Sequence, residues 1–420
     1  MIRVCDAIMG TGKSSAAITY MNEHPNERFI YITPFLREAN RIARECAALR
    51  FVEPGGGDEG GEESKGGKVK HTALLIKQNR NIATTHQSFK RYTPEMLDDI
   101  RTRGYTLLID ENMDTLEEYS IHPCDMRLLL ESGYLVKDGD ACHTTDKEYT
   151  GEVFRKMFQN LESRDLIVAG DEDDNNKMVQ IYCWVLPPEL LKAFKDVIIM
   201  TYLFRGQGLY QMLEMNHMEY EYIGVDVSGS GKNKQYRFST DTRYVPEYVK
   251  DIRNKIHILD NSKLNAIGKD KTALSMAWFG KDESNVNKLK NNISNCFKHI
   301  WGDVPLEEKM WSTYKGCEEK LEGKGYTKSY LVFNERATNK YKNKTKLVYA
   351  VNLFSNVAKR QFFGKHGVDL NDDMYALSTM VQWIWRSAIR DGKEIEIYLP
   401  SRRMRELLIN WMDKISKEAE

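Results

Sequence analysis

The sequence predicts an α/β protein with two tandem domains built on parallel sheets and an insertion in the first. Three observations carry this expectation. Short apolar runs alternate with helix-length segments in both halves of the chain, the pattern of strands buried on both faces and joined by helical crossovers. A glycine-bearing loop, Met9-Gly10-Thr11-Gly12-Lys13-Ser14, separates the first apolar run from the first helical one. The chain has 420 residues, room for two or three cores at about 150 residues per domain.

Residues 2–5 read as a buried strand and residues 14–21 as the start of a helix, so the loop has a strand-turn-helix setting. Further strands are expected at 29–32, 82–84, 106–109 and 197–200. Residues 53–70, rich in Gly, Glu and Lys, cannot bury apolar area and are expected to form a mobile loop. The interval 114–191 is long for one connection in a sheet and reads as an accessory insertion, with strand-like runs at 134–136 and 179–185. A polar, glycine-bearing stretch at 228–232 reads as the hinge, placing the domains at 1–225 and 226–420. Beyond it strands are expected at 256–259, 273–278, 330–333, 347–351 and 395–399, with a closing helix at 402–417.

Composition excludes several classes. Hydrophobic residues make up 41% and charged residues 29%, which is globular rather than fibrous or disordered. No apolar run approaches the roughly 20 residues needed to span a bilayer, and nothing ahead of the loop reads as a signal peptide. No membrane association and a cytoplasmic location are therefore expected. The seven cysteines are scattered and form no CxxC pair, as in reduced thiols rather than a disulfide framework or a zinc site. Net charge is zero, yet Lys and Arg are in excess after residue 225 and Asp and Glu before it. A basic second half can contact phosphates locally.

The glycine-bearing loop has the chemistry of a phosphate cradle. Its backbone N–H groups, at a helix N-terminus, wrap the phosphates of a nucleotide, Lys13 reaches the β/γ oxygens, and Ser14 holds Mg2+. Met9, Gly10, Thr11, Gly12, Lys13 and Ser14 are thus the expected binding residues for ATP. A second element, Leu107-Leu108-Ile109-Asp110-Glu111-Asn112, is an apolar strand ending in two carboxylates. There Asp110 would hold Mg2+ and Glu111 would orient and polarise the attacking water.

Several further blocks, taken in order, resemble the superfamily-two DNA and RNA helicases, in particular the compact phage-encoded type. Tyr31-Ile32-Thr33-Pro34-Phe35-Leu36 and Ala83-Thr84-Thr85-His86-Gln87-Ser88-Phe89 resemble blocks that grip a nucleic-acid strand through its phosphates. Ile198-Ile199-Met200-Thr201-Tyr202-Leu203 stands where the family couples its nucleotide site to the strand. Phe333-Asn334-Glu335-Arg336-Ala337-Thr338-Asn339 resembles a block touching both ligands, and the segment from Val381 to Arg390 resembles the one that presents Gln382, Arg386 and Arg390 to the triphosphate. The resemblance implies two RecA-like P-loop domains with ATP hydrolysed between them. It further implies Thr33, Pro34, Thr84, Thr85 and Thr338 on the nucleic acid, Thr201 and Arg336 in coupling, and Lys13, Glu111, Gln382, Arg386 and Arg390 in catalysis. Arg390 is the expected arginine finger, with the three residues of the last block on adjoining turns of one helix.

The implied partners are nucleic acid, single-stranded DNA ahead of RNA, and replication or recombination proteins of a phage. The sequence departs from the DEAD-box type: no room exists before Arg3 for an adenine-reading Gln motif, and the acidic box reads Asp-Glu-Asn-Met. Trp278, Trp301 and Trp311 are candidate base-stacking platforms, against the commoner fate of a Trp in a core. Two other readings share the nucleotide motifs: a nucleotide-gated DNA-binding or loading module without unwinding, and a terminase-like packaging ATPase, which would need clustered acidic ligands where the second half offers scattered ones such as Asp369, Asp372 and Asp373.

Overall fold

A computed structural model describes residues 1–55, 67–119, 121–139, 141–161, 166–172, 178–334 and 340–418. The chain divides into two compact units, one comprising Met1–Ala7, Gly12–Thr242 and Asn356–Leu370, the other Ile8–Thr11, Arg243–Ser355 and Asn371–Glu420.

In the first unit the elements run β1 (Ile2–Asp6), α1 (Lys13–Glu23), β2 (Phe29–Thr33), α2 (Leu36–Glu45), α3 (Gly67–Lys77), β3 (Ile82–Thr85), α4 (His86–Phe89), α5 (Pro94–Arg103) and β4 (Thr106–Asp110). Next come β5 (Leu116–Tyr119), α6 (Pro123–Glu131), β6 (Leu135–Asp138), β7 (Ala141–Thr144), α7 (Arg155–Leu161), β8 (Leu166–Glu172) and β9 (Met178–Val185). The chain then returns through α8 (Glu189–Lys192), β10 (Asp196–Thr201), α9 (Gly208–Met215), β11 (Glu221–Ser228) and β12 (Gln235–Ser239). One seven-stranded sheet has the order β12-β11-β1-β10-β4-β2-β3. It is parallel throughout except for β12, which runs antiparallel to β11.

Strand residues alternate between two apolar layers, as a pleated sheet covered on both faces requires. Ile30, Ile32, Leu107, Ile109, Val197 and Ile199 face a layer completed by α3, α5 and α9. Phe29, Tyr31, Leu108, Ile198 and Met200 face the other, completed by Ala16, Ala17 and Met21 of α1 and by Ala39 and Ile42 of α2. The interval 114–191 carries its own antiparallel sheet, β5-β9-β8-β7-β6, and its Met126, Leu129, Leu135, Met157 and Trp184 join the first of those layers.

The second unit runs α10 (Glu247–Lys250), α11 (Ile252–Lys255), β13 (Ile256–Ile258), α12 (Ser262–Asn265), α13 (Glu283–Asn295), β14 (Lys309–Ser312), α14 (Glu318–Leu321) and β15 (Lys346–Tyr349). After α15 (Val357–Lys365) it continues with α16 (Asp372–Ile384), β16 (Ile395–Tyr398) and α17 (Arg402–Glu418). Its four-stranded sheet, β13-β16-β15-β14, is parallel. On α17 the buried residues Met404, Leu408, Trp411, Met412 and Ile415 make one apolar stripe.

Several expectations are corrected. The limit at 225 falls inside β11, which pairs with β1 from Arg3↔Glu221 to Cys5↔Ile223. Residues 228–232 are therefore no hinge but the turn of the β11–β12 hairpin, with Gly229 and Gly231 at φ +77° and +57°. Of the expected mobile loop, 56–66 lie outside the described residues, while 67–70 open α3, whose His71, Thr72, Leu75 and Ile76 are buried. Residues 273–278 form turns and a 3-10 segment, Met276–Gly280, and 330–333 contribute a single bridge, Trp311↔Tyr330. The strand in that region is β14, hidden in the sequence because it begins with a buried lysine whose Nζ donates to the Phe297 carbonyl at 3.0 Å. Finally, residues 356–370 belong to the first unit: Phe362, Phe363 and Val368 pack on Leu116, Cys183 and Val185, and Asn356 donates to Glu118 at 2.8 Å.

A buried ion pair ties the insertion down. Lys90, 1% exposed, meets Glu117 of β5 at 2.8 Å, and Glu117 also takes Lys156 at 3.1 Å and the Asn160 amide at 3.1 Å. Burial opposes ionisation of this carboxyl, but the two ammoniums hold it below its ordinary range. Glu117→Ala is expected to remove the carboxylate that meets a buried ammonium and to lower unfolding free energy by about 3–5 kcal/mol, read as a lower urea midpoint at unchanged m-value.

Candidate nucleotide site

The loop between β1 and α1 turns where glycine is needed. Gly10 and Gly12 have φ +86° and +90°, a backbone region that side chains disfavour, and Gly12 forms the N-cap of α1. In the loop tip the Thr11 hydroxyl donates to the Ile8 carbonyl at 2.9 Å. The Ala16 amide donates to the Gly12 carbonyl at 2.8 Å, so the helix begins at once and its first N–H groups point out of its end, as an anion cradle requires. The Lys13 Nζ rests on the Ala7 carbonyl.

The parallel register sets the rest of the site beside this loop. Asp6 of β1 pairs with Thr201 of β10, Met200 with Asp110 of β4, Ile32 with Ile109, and Thr33 of β2 with Thr85 of β3. Four expected site positions, Thr33, Thr85, Asp110 and Thr201, therefore stand along one edge of the sheet, at the carboxyl ends of its strands, where open parallel sheets bind ligands. Just past that edge Glu111 has φ +62°, a conformation costing about 1–3 kcal/mol in a non-glycine residue, fixed by donation from its amide to the Met200 carbonyl at 3.0 Å.

The charges at this edge perturb one another. Burial, then the Glu111 carboxylate, lifts Asp110 to about 7, against the Tyr31 hydroxyl and Lys13, which favour its ionised form. Burial lowers Lys13 against the pull of Cys5, Asp110, Asp6 and Glu111. Burial likewise raises Asp6, opposed by the Phe204 and Leu203 amides and by Lys13. Such clustering marks candidate functional sites. A small hard cation fits: Asp110, its proton affinity raised by burial and by the neighbouring Glu111 carboxylate, interacts with Lys13 of the loop, whose helix carries Ser14 in its first turn. Among the described residues no three His, Cys, Asp or Glu converge, and Mg2+ held by one hydroxyl, one carboxylate and phosphate oxygens needs no such cluster.

Three supporting residues carried no clear sequence signal. Asp6 accepts from the Phe204 amide at 3.1 Å, and the Ala7 amide donates to the Thr201 carbonyl at 3.1 Å, so the phosphate loop and the turn after β10 are braced together. In that turn the Thr201 hydroxyl donates to Gln207 Oε1 at 2.5 Å, and the Gln207 amide donates to the Tyr202 carbonyl at 2.7 Å. His86 Nε2 lies 2.9 Å from the Asp110 carbonyl. Asp6 adjoins the loop in sequence, but nothing local distinguishes Gln207.

The expected strand-gripping side chains fare differently. Thr33 and Thr84 are buried, and Thr84 and Thr85 face opposite sides of β3 by strand alternation. The Thr85 hydroxyl caps α4 by accepting from the Ser88 amide at 3.3 Å. Pro34 is half-buried. Arg336 and Thr338 lie outside the described residues.

In the second unit α16 ends at Ile384, so Gln382, Arg386 and Arg390 do not share one helix. The Gln382 amide donates to Ser378 Oγ at 3.3 Å, Arg386 is buried, and Arg390 lies in a 3-10 turn, Ala388–Asp391, and is exposed. The helix stops because the Ser387 hydroxyl turns back to the Ile384 carbonyl at 2.6 Å. Trp301 and Trp311 are core residues, donating to Glu396 and to the Tyr326 carbonyl at 2.8 and 2.9 Å; Trp278 is half-buried. Asp372 accepts from the Ser355 amide at 2.8 Å, and Asp373 pairs with Arg403 at 2.7 Å.

The chain is 37% identical over 421 residues to the SPbeta prophage-derived protein YonV of Bacillus subtilis (strain 168), with 98% of each chain covered. It belongs to the YonV family. The model of the YonV C-terminal Rossmann-like domain matches residues 250–412, which take in the four-stranded sheet. Among solved structures, apo XPD superposes with a TM-score of 0.51 at 10% identity, covering 99% of this chain and 95% of that one. S. tokodaii Xpd4 gives 0.45 at 12% identity, covering 98% and 94%. The YonV-family chain thus has the α/β fold with parallel sheets seen in XPD. Among the described residues no helix is long and apolar enough to cross a membrane.

The raised Asp110 pKa has a testable sign. An acid that titrates near 7 when folded and near 3.8 otherwise binds more protons in the native state, so its contribution to stability is lost as pH rises between those values. In chelator-treated, metal-free buffer, Asp110→Asn is expected to gain thermal stability over the unsubstituted chain from pH 4 to 8. A difference that does not vary with pH would refute the burial argument.

Proposed function

We propose that this YonV-family chain is an ATP-hydrolysing, nucleic-acid-stimulated motor, a helicase or translocase working on DNA, most simply single-stranded DNA, in phage replication or recombination. The observation that supports it best is the row of Lys13, Ser14, Asp110, Glu111 and Thr201 at the carboxyl edge of one parallel sheet. The XPD-like fold and the prophage-derived relative agree with it.

In this reading the N–H groups from Gly10 to Ser14 wrap the phosphates, and Lys13 leaves the Ala7 carbonyl for the β/γ oxygens. Ser14 and Asp110 hold Mg2+, which neutralises charge developing on the phosphates. Glu111, preset by its left-handed backbone, orients the attacking water. Arg390 is the available cation for the transferred phosphoryl group because it is exposed, whereas Arg386 is buried. The Asp6 and Gln207 contacts give Thr201 a physical route for coupling: a shift of the phosphate loop moves the turn after β10. Since Thr33 and Thr84 are buried and Thr85 is a cap, backbone N–H groups at these strand ends are the better candidates for nucleic-acid phosphates, which makes binding salt-dependent and sequence-tolerant.

Lys13→Ala is expected to abolish ATP turnover with the circular dichroism spectrum unchanged; a variant turning over normally removes Lys13 from the site. Measuring turnover with and without single-stranded DNA separates a motor from a nucleotide-gated clamp, and strand displacement separates a helicase from a translocase. Arg390→Ala is expected to lower kcat by roughly 10³-fold or more while ATP affinity holds; unchanged kcat excludes it as the finger.

A further inference from the structure

Sheet order fixes where the nucleotide base must go. Asp110 and Glu111 lie on and after β4, separated from β1 by β10. The γ-phosphate must stand near these carboxylates for water to be activated. A triphosphate laid across the loop therefore has its nucleoside end on the opposite side of β1, toward β11 and β12.

A side chain stands there. Tyr236 of β12, paired with Val227, lays its ring against Gly12 so closely that a Cβ at Gly12 would overlap it. Its position is held by the packing of β12 on α1: Phe238 meets Tyr20 edge-on at 6.1 Å between centroids, and Arg237 pairs with Glu23 at 2.7 Å. Tyr236 is half-buried, so part of the residue remains accessible, and its ring edge lies against Gly12 at the helix N-terminus. The 228–232 turn delivers this ring to the loop.

We propose that Tyr236 is the nucleobase platform of the site, stacking on the base of the bound nucleotide. The inference rests on the ATP reading above and goes further by naming what holds the base. A π-face accepts every base, so the platform gives affinity with little base selectivity.

The test compares Mg-ATP with Mg-tripolyphosphate, which keeps the phosphates and lacks base and sugar, by calorimetry on the full chain. The unsubstituted chain should bind ATP at least about tenfold more tightly than tripolyphosphate. Tyr236→Leu, which keeps apolar bulk on α1, should remove most of that difference by weakening ATP while tripolyphosphate stays within about twofold; Tyr236→Phe should retain it. In the unsubstituted chain 8-azido-ATP should label the β12 peptide on irradiation, competed by ATP. Equal losses for both ligands in Tyr236→Leu, unchanged ATP affinity in that variant, or labelling confined to another peptide would overturn the platform. Failure of the unsubstituted chain to bind either ligand would instead overturn the ATP reading.

Discussion

Holding Lys13, Asp110 and Glu111 together where an apolar seven-stranded sheet ends is the demand that shapes the first unit. Charges at such a place lose hydration, and the protein must return it through fixed dipoles or accept altered proton affinities. It does both. Amides of Leu203 and Phe204 serve Asp6, the Tyr31 hydroxyl stands beside Asp110, and a backbone carbonyl receives Lys13, while burial still shifts all three titrations. An edge built this way is poor as a resting structure and well suited to a ligand bringing the missing counter-charges.

Much of the first unit was legible because its signals are local. The apolar runs at 2–5, 29–32, 82–84, 106–109 and 197–200 all became strands, since a parallel strand covered on both faces needs consecutive apolar residues and little else does. The loop from Met9 to Ser14 was legible through its glycines, which the backbone requires at φ +86° and +90°. The second half was less so. A buried lysine disguised β14, and the apolar residues at 273–278 serve turns. Packing decided the rest: Asp6 acts through a contact with Phe204, distant in sequence, Gln207 acts through the fold of the turn after β10, and the burial of Thr33 and Thr84 follows from their place in the sheet rather than from being threonines.

The block from Val381 to Arg390 shows how a motif can be right in order and different in shape. Its residues read as one helix, but a serine hydroxyl seeking a backbone carbonyl ends α16 early and gives the two arginines separate environments. The same contrast applies to the polar glycine stretch after β11, which composition alone presents as a joint and strand pairing resolves as the connection that closes a hairpin.

The return of residues 356–370 to the first unit bears on how the polypeptide is made. Phe362 and Phe363, which pack on the insertion sheet at Leu116, Cys183 and Val185, emerge from the ribosome long after that surface does. The amino-terminal body cannot be finished co-translationally as a contiguous block, the usual order for multidomain chains, and a polypeptide cut near residue 243 would leave one fragment with an uncovered greasy face and the other with two stranded phenylalanines.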